Sequence, residues 1–93
     1  MIKQIELTEA AQKKIKKLPI QVQRKLRLWI KQVEMIGLDN VRKIKGYHDE
    51  PLKGVRRGQR SIRLNIAYRA LYTEITKHKI EVAEVFDINK HKY

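Results

Sequence analysis

The 93-residue sequence has no cysteine, few prolines and glycines, and 10 acidic side chains against 22 basic ones. Without cysteine there is no disulfide, no thiol nucleophile and no thiolate-bound zinc, which suits a reducing compartment. No stretch approaches the roughly 20 apolar residues that span a bilayer. The opening residues, MIKQIELTEAAQKK, lack the apolar core of a signal peptide. The expectation is a soluble, cytoplasmic protein with no membrane partner. His48, His78 and His91 show no ligand spacing and no accompanying carboxylate cluster, so no metal site is expected. Gly54 and Gly58 are not followed by the Lys-Ser/Thr and helix of a phosphate-binding P-loop.

What is present begins with charge. The excess of 22 − 10 gives +12 at pH 7, with a sequence pI of about 10.2. A field of that sign attracts polyanions, and a pI this high is one mark of a nucleic-acid binder. A membrane surface or an acidic protein would answer the same charge. The length suits one domain over residues 1–93, and 42% hydrophobic residues argue against disorder.

The chain reads as six elements. IKQIEL (2–7) fits a short strand. Thr8 is an N-cap, Glu9 suits the first turn, and a helix runs to about Lys17 with Ala11, Ile15 and Leu18 on one side. Pro19 breaks it and opens a second helix, in which Val22, Leu26, Trp29, Ile30 and Val33 form one apolar stripe up to Gly37. Trp29 reads as core. Residues 40–61 are rich in turn formers and charge. SIRLN then alternates, with Ile62 and Leu64 to one side and Ser61, Arg63 and Asn65 to the other. A turn at Asn65–Ile66 leads to AYRALYTE, in which Tyr68 and Tyr72 share a packing face. A second turn over Thr76–Lys79, with an exposed His78, leads to IEVAEVF. The order β-α-α-β-β-β predicts an α+β domain, with a helical hairpin on one face of an antiparallel sheet and the other face open.

Arg63 can line that open face, and on and beside the sheet fall Glu50 and Lys53, Arg56, Arg57 and Arg60, Arg69, and the residues of the terminal NKHKY. The set suits metal-free RNA cleavage. That reaction needs a base for the 2′-OH, cations for the phosphate, and an acid for the departing 5′-oxygen. Arginine clamps phosphate through its planar fork. Glu or His serves as base, and His or Tyr as acid. By composition alone the signal is weak and the bland alternatives stay ahead: surface salt bridges for Arg63, Arg69 and Glu50, a turn for His48, and a solvated tail for His91 and Tyr93.

The strings EPLKG-VRRGQRSIRLN-IAYRALY and the terminal NKHKY resemble the RelE/ParE superfamily of bacterial toxins, nearest to its RelE, YoeB and HigB branches. The resemblance covers about residues 44–93 and implies a RelE-like fold. It implies the toxin of a type II toxin–antitoxin module, a ribosome-dependent endoribonuclease that cuts mRNA in the 30S A site without a cofactor. Its implied partners are the ribosome, mRNA and a cognate antitoxin, through which alone it would meet DNA. Arg69 matches the arginine such toxins use on the scissile phosphate. Arg63 falls where members carry a functional basic residue, and Glu50 matches the general base of the YoeB-like branch. His91 and Tyr93 match a C-terminal His and Tyr, here separated by Lys92. The base is therefore Glu50 or His91, and the acid His91 or Tyr93, with Lys53, Arg56, Arg57, Arg60 and Lys90 on the RNA. The ParE branch shares the fold but inhibits DNA gyrase. That activity, or simple RNA binding without cleavage, is the alternative.

Overall fold

A computed structural model describes residues 1–90. Five strands and three helices follow one another as β1 (Ile5–Leu7), α1 (Glu9–Ile15), α2 (Ile20–Ile36), α3 (Leu38–Val41), β2 (Glu50–Pro51), β3 (Gln59–Arg63), β4 (Tyr68–Lys77) and β5 (Ile80–Lys90), with short 3-10 turns at Lys45–Tyr47 and Gly54–Arg56. The sheet order is β1-β5-β4-β3-β2. β2 to β5 are antiparallel neighbours, and β1 runs parallel to β5. The α+β class read from the sequence holds, with two changes. The sheet is mixed rather than wholly antiparallel, and residues 50–51, read as loop, form a short edge strand.

Local chemistry explains most boundaries. Thr8 caps α1: its Oγ1 accepts the Ala11 N–H at 3.1 Å, and Glu9 lies in the first turn. Pro19 stands immediately before α2 with an extended ψ of 143°. Gly37 ends α2 at φ 87°, where an L side chain would be strained, and its N–H still reaches the Val33 carbonyl at 2.9 Å. The β4–β5 turn is tighter than the sequence reading. Thr76 and Lys77 stay in β4, and only His78 (φ 52°) and Lys79 (φ 66°) turn, both left-handed. That is the twist a two-residue hairpin loop requires, here met without glycine.

The core lies between α2 and one sheet face. Val22, Leu26, Trp29 and Val33 are buried, and Ile30 packs at the margin. Opposite them stand Ile62, Ala70, Tyr72, Ala83, Val85 and Ile88. The Trp29 and Tyr72 rings meet at 5.4 Å between centroids, tilted by 47°.

Val85 and Ile88 are three residues apart, yet both are buried in that core. Regular alternation would put them on opposite faces. A bulge resolves this: Leu71 pairs with Asp87 and Tyr72 with Val85, so Phe86 is the extra residue. Past the bulge, Asn89 turns away from the core, while Asp87 pairs with Lys14 of α1.

Candidate functional site

Directly paired residues in an antiparallel ladder project from the same face, about 4.5–5.5 Å apart. Ile62 pairs with Ala70, and Ala70 with Ile88, on the helix side. The adjacent row, Arg63–Arg69–Asn89, therefore projects from the other face, across β3, β4 and β5. Arg63 and Arg69 are half-buried, and neither side chain has a hydrogen bond or ion pair among the described residues.

The next row on this face is Glu50–Ser61–Leu71–Asp87. Glu50 thus shares the face with both arginines, on a strand diagonal to Arg63, at about 7–8 Å by ladder geometry. Its side chain is 64% exposed, and His48 Nδ1 lies 3.9 Å from its Oε1. The face is not fully open: Ser61 and Leu71 are buried. Around them the face carries Glu50, Arg63, Arg69 and Asn89, together with Asp87, which pairs with Lys14 of α1.

The remaining candidates divide by position. Lys53, Arg56 and Arg57 are exposed on the β2–β3 connection, which the Leu52 N–H closes onto the Gln59 carbonyl at 2.8 Å. Arg60 pairs with Tyr72 and so lies on the helix side, where its Nε donates to Asp49 Oδ1 at 2.7 Å. Lys90 pairs with Tyr68, on the helix side too, with its ammonium 6.0 Å from the Tyr68 ring centroid. The fold therefore gathers Glu50, Arg63 and Arg69 on one face and leaves Arg60 and Lys90 off it. His91 and Tyr93 lie outside the described residues. Among those residues, no group of three or more His, Asp or Glu could hold a metal ion.

Sequence reasoning missed the polar cluster beneath the face. The Asp49 side chain is only 1% exposed. It accepts from Arg60 and, at 2.5 Å, from the Tyr72 hydroxyl, while Arg42 Nε lies 3.8 Å away. Arg42 also donates to Tyr72 at 3.3 Å and pairs with Glu74. Burial, with the Asp49 carboxylate, pushes the Tyr72 phenol well above its usual pKa, and Arg42 only partly opposes this. Burial alone would lower the Arg42 pKa, but its hydrogen bonds to Tyr72 and Glu74 outweigh that and hold it charged. No periodicity marks an aspartate in a turn-rich segment, so only its tertiary neighbours identify it.

No protein-family model and no curated protein matches the sequence. Solved structures do. A YoeB/ParE toxin from Agrobacterium tumefaciens superposes with a TM-score of 0.71 at 17% identity, over 96% of this chain and 99% of that one. The archaeal RelE–RelB complex from Pyrococcus horikoshii contains a chain matching at 0.68 and 18% identity, over 97% and 96%. A chain of the YoeB–YefM complex from Staphylococcus aureus matches at 0.67 and 19% identity, over 95% of each. The likeness spans nearly the whole of each chain and is one of fold: this protein has the α+β fold of the RelE and YoeB toxins.

Proposed function

We propose that this protein is the toxin of a type II toxin–antitoxin module and acts as a metal-independent endoribonuclease on ribosome-bound mRNA. The observation that carries the reading is the Arg63–Arg69 pair, unpartnered among the described residues, with Glu50 on the same face. The chain's +12 charge and its likeness to RelE and YoeB structures support it.

In the proposed reaction Arg63 and Arg69 hold the scissile phosphate and the charge that gathers on it. Glu50 or His91 removes the 2′-OH proton, and the 2′-oxygen attacks phosphorus. The bond to the 5′-oxygen breaks, and His91 or Tyr93 gives that oxygen a proton. The products are a 2′,3′-cyclic phosphate and a 5′-OH, and water opens the ring to a 3′-phosphate. Lys53, Arg56 and Arg57 bind RNA in the 30S A site through its backbone. Arg60 and Lys90 contribute to the field from the other face. A cognate antitoxin, as RelB and YefM are in the similar complexes, holds the toxin inactive.

The test is expression of wild-type, Arg69→Ala and His91→Ala chains in a bacterium, with mRNA 5′ ends mapped on ribosomes. Codon-phased cuts and growth arrest are expected of the wild type, and neither of Arg69→Ala. Arrest without cuts overturns the nuclease reading, and loss of gyrase supercoiling in its place would assign the ParE-like activity.

A further inference from the structure

β2 is an unusual place for a reactive carboxylate. It is two residues long, lies at the sheet edge, and has only the pairs Glu50↔Ser61 and Pro51↔Arg60. Pro51 has no N–H to donate to the ladder. The chain also reaches it through His48, a non-glycine residue at φ 45°. The ladder by itself holds Glu50 weakly.

Asp49 supplies what the ladder lacks. Its carboxylate is 1% exposed while the Glu50 side chain beside it is 64% exposed. Oδ1 takes the Arg60 guanidinium of β3 at 2.7 Å, and Oδ2 takes the Tyr72 hydroxyl of β4 at 2.5 Å. Arg42, at the end of α3, lies 3.8 Å from Oδ2, and Arg60 also reaches the Asp49 backbone carbonyl at 3.5 Å. Three elements thus converge on one side chain. Successive residues of an extended chain point to opposite faces, so fixing Asp49 inward turns Glu50 outward.

We propose that Asp49 is a positioning residue: its buried carboxylate clamps the start of β2 to β3, β4 and the end of α3, and thereby aims Glu50 at the Arg63–Arg69 pair. This rests on the nuclease reading, with Glu50 as the base. Asp49 is too buried to touch RNA and acts only through its neighbour.

The test uses the full chain and ribosome-bound mRNA, with Asp49→Asn, Glu50→Ala and the double variant, plus amide exchange on the free protein. Asp49→Asn is expected to slow cleavage at saturating substrate by about tenfold to a hundredfold, the scale of a small misplacement, while KM stays within about twofold. The double variant should be no slower than Glu50→Ala alone, because two residues acting as a unit do not add. The Leu52 amide, which closes the β2–β3 connection, should exchange faster in Asp49→Asn while α2 amides keep their protection. Tyr72→Phe removes one donor, keeps the ring against Trp29, and should repeat these effects if Asp49→Asn does not fold. Additive losses, or an unchanged Leu52 exchange rate, overturn the proposal. Full activity in Glu50→Ala with faster Leu52 exchange overturns Glu50 as the base and leaves the clamp without a catalytic role.

Discussion

Arg63 and Arg69 stand directly opposite one another across β3 and β4, two guanidinium side chains with no carboxylate between them among the described residues. Like charges so placed destabilise a sheet, by about 0.2–1 kcal/mol for a cross-strand pair. An anion bound between them reverses the sign of that interaction. The fold thus carries a small local strain at the position where a phosphate is expected, a usual trade of stability for function.

It follows that Arg63→Ala and Arg69→Ala should leave stability unchanged or raise it by up to about 1 kcal/mol, while Arg69→Ala lowers cleavage about a hundredfold or more. Urea melts and single-turnover cleavage on programmed ribosomes read the two quantities separately. Inorganic phosphate should raise the Tm of the wild type more than that of either variant. Equal shifts would show that the pair binds no anion.

The connection carrying Lys53, Arg56 and Arg57 touches no other charge among the described residues. Its expected role is backbone contact. Arg56→Ala and Arg57→Ala should each reduce the slope of log K against log salt by about 1, with little dependence on RNA sequence. Binding titrations at several salt concentrations check this. Variants that keep the wild-type slope place the loop away from the RNA.

Tyr72 predicts an alkaline limit to stability. Burial first, and the Asp49 carboxylate second, raise its folded pKa above the unfolded value of about 10. Below that value both states hold the proton and stability is independent of this group. Above it the unfolded chain releases the proton and the folded chain keeps it, so stability falls as pH rises. Tyr47, raised by burial, adds in the same direction. Denaturant midpoints from pH 8 to 11 should therefore fall in the wild type above about pH 10, and fall less in Tyr72→Phe. An identical decline in both would remove Tyr72 as the cause.

Trp29 is fully buried against Tyr72. Trp29→Ala should cost about 3–5 kcal/mol, the usual result of emptying a large core site. Thr8→Ala should cost about 1 kcal/mol through the lost α1 cap. Guanidinium titrations followed by circular dichroism distinguish the two magnitudes.

The legible parts of this molecule are the local ones. The stripe through Val22, Leu26, Trp29 and Val33, the Thr8 cap, the Gly37 stop and the alternation around Arg63 all depend on residues a few positions apart, so the sequence states them directly. That alternation marks Arg63, whereas Arg69 enters the group of candidates through its place in the next strand and the resemblance of AYRALY. The edge strand at Glu50–Pro51 was not legible, because two residues carry no period and a proline argues against a strand. Nor was the position of Arg60. In sequence it is one more cation in a basic run, whereas in space it pairs with Asp49.

By itself, then, the sequence determined the polyanion-seeking charge, the helical hairpin and the hairpin strands, since each follows from composition or short-range periodicity. Only the tertiary structure decided which charged residues stand together. The bulge at Phe86 sets the facing of the last β5 residues, the β2–β3 pairing brings Glu50 onto the arginine face, and the closed core turns Asp49 and Arg60 inward. Those outcomes depend on contacts between residues distant in the chain and on the cost of burying a charge without a partner, which no local pattern records.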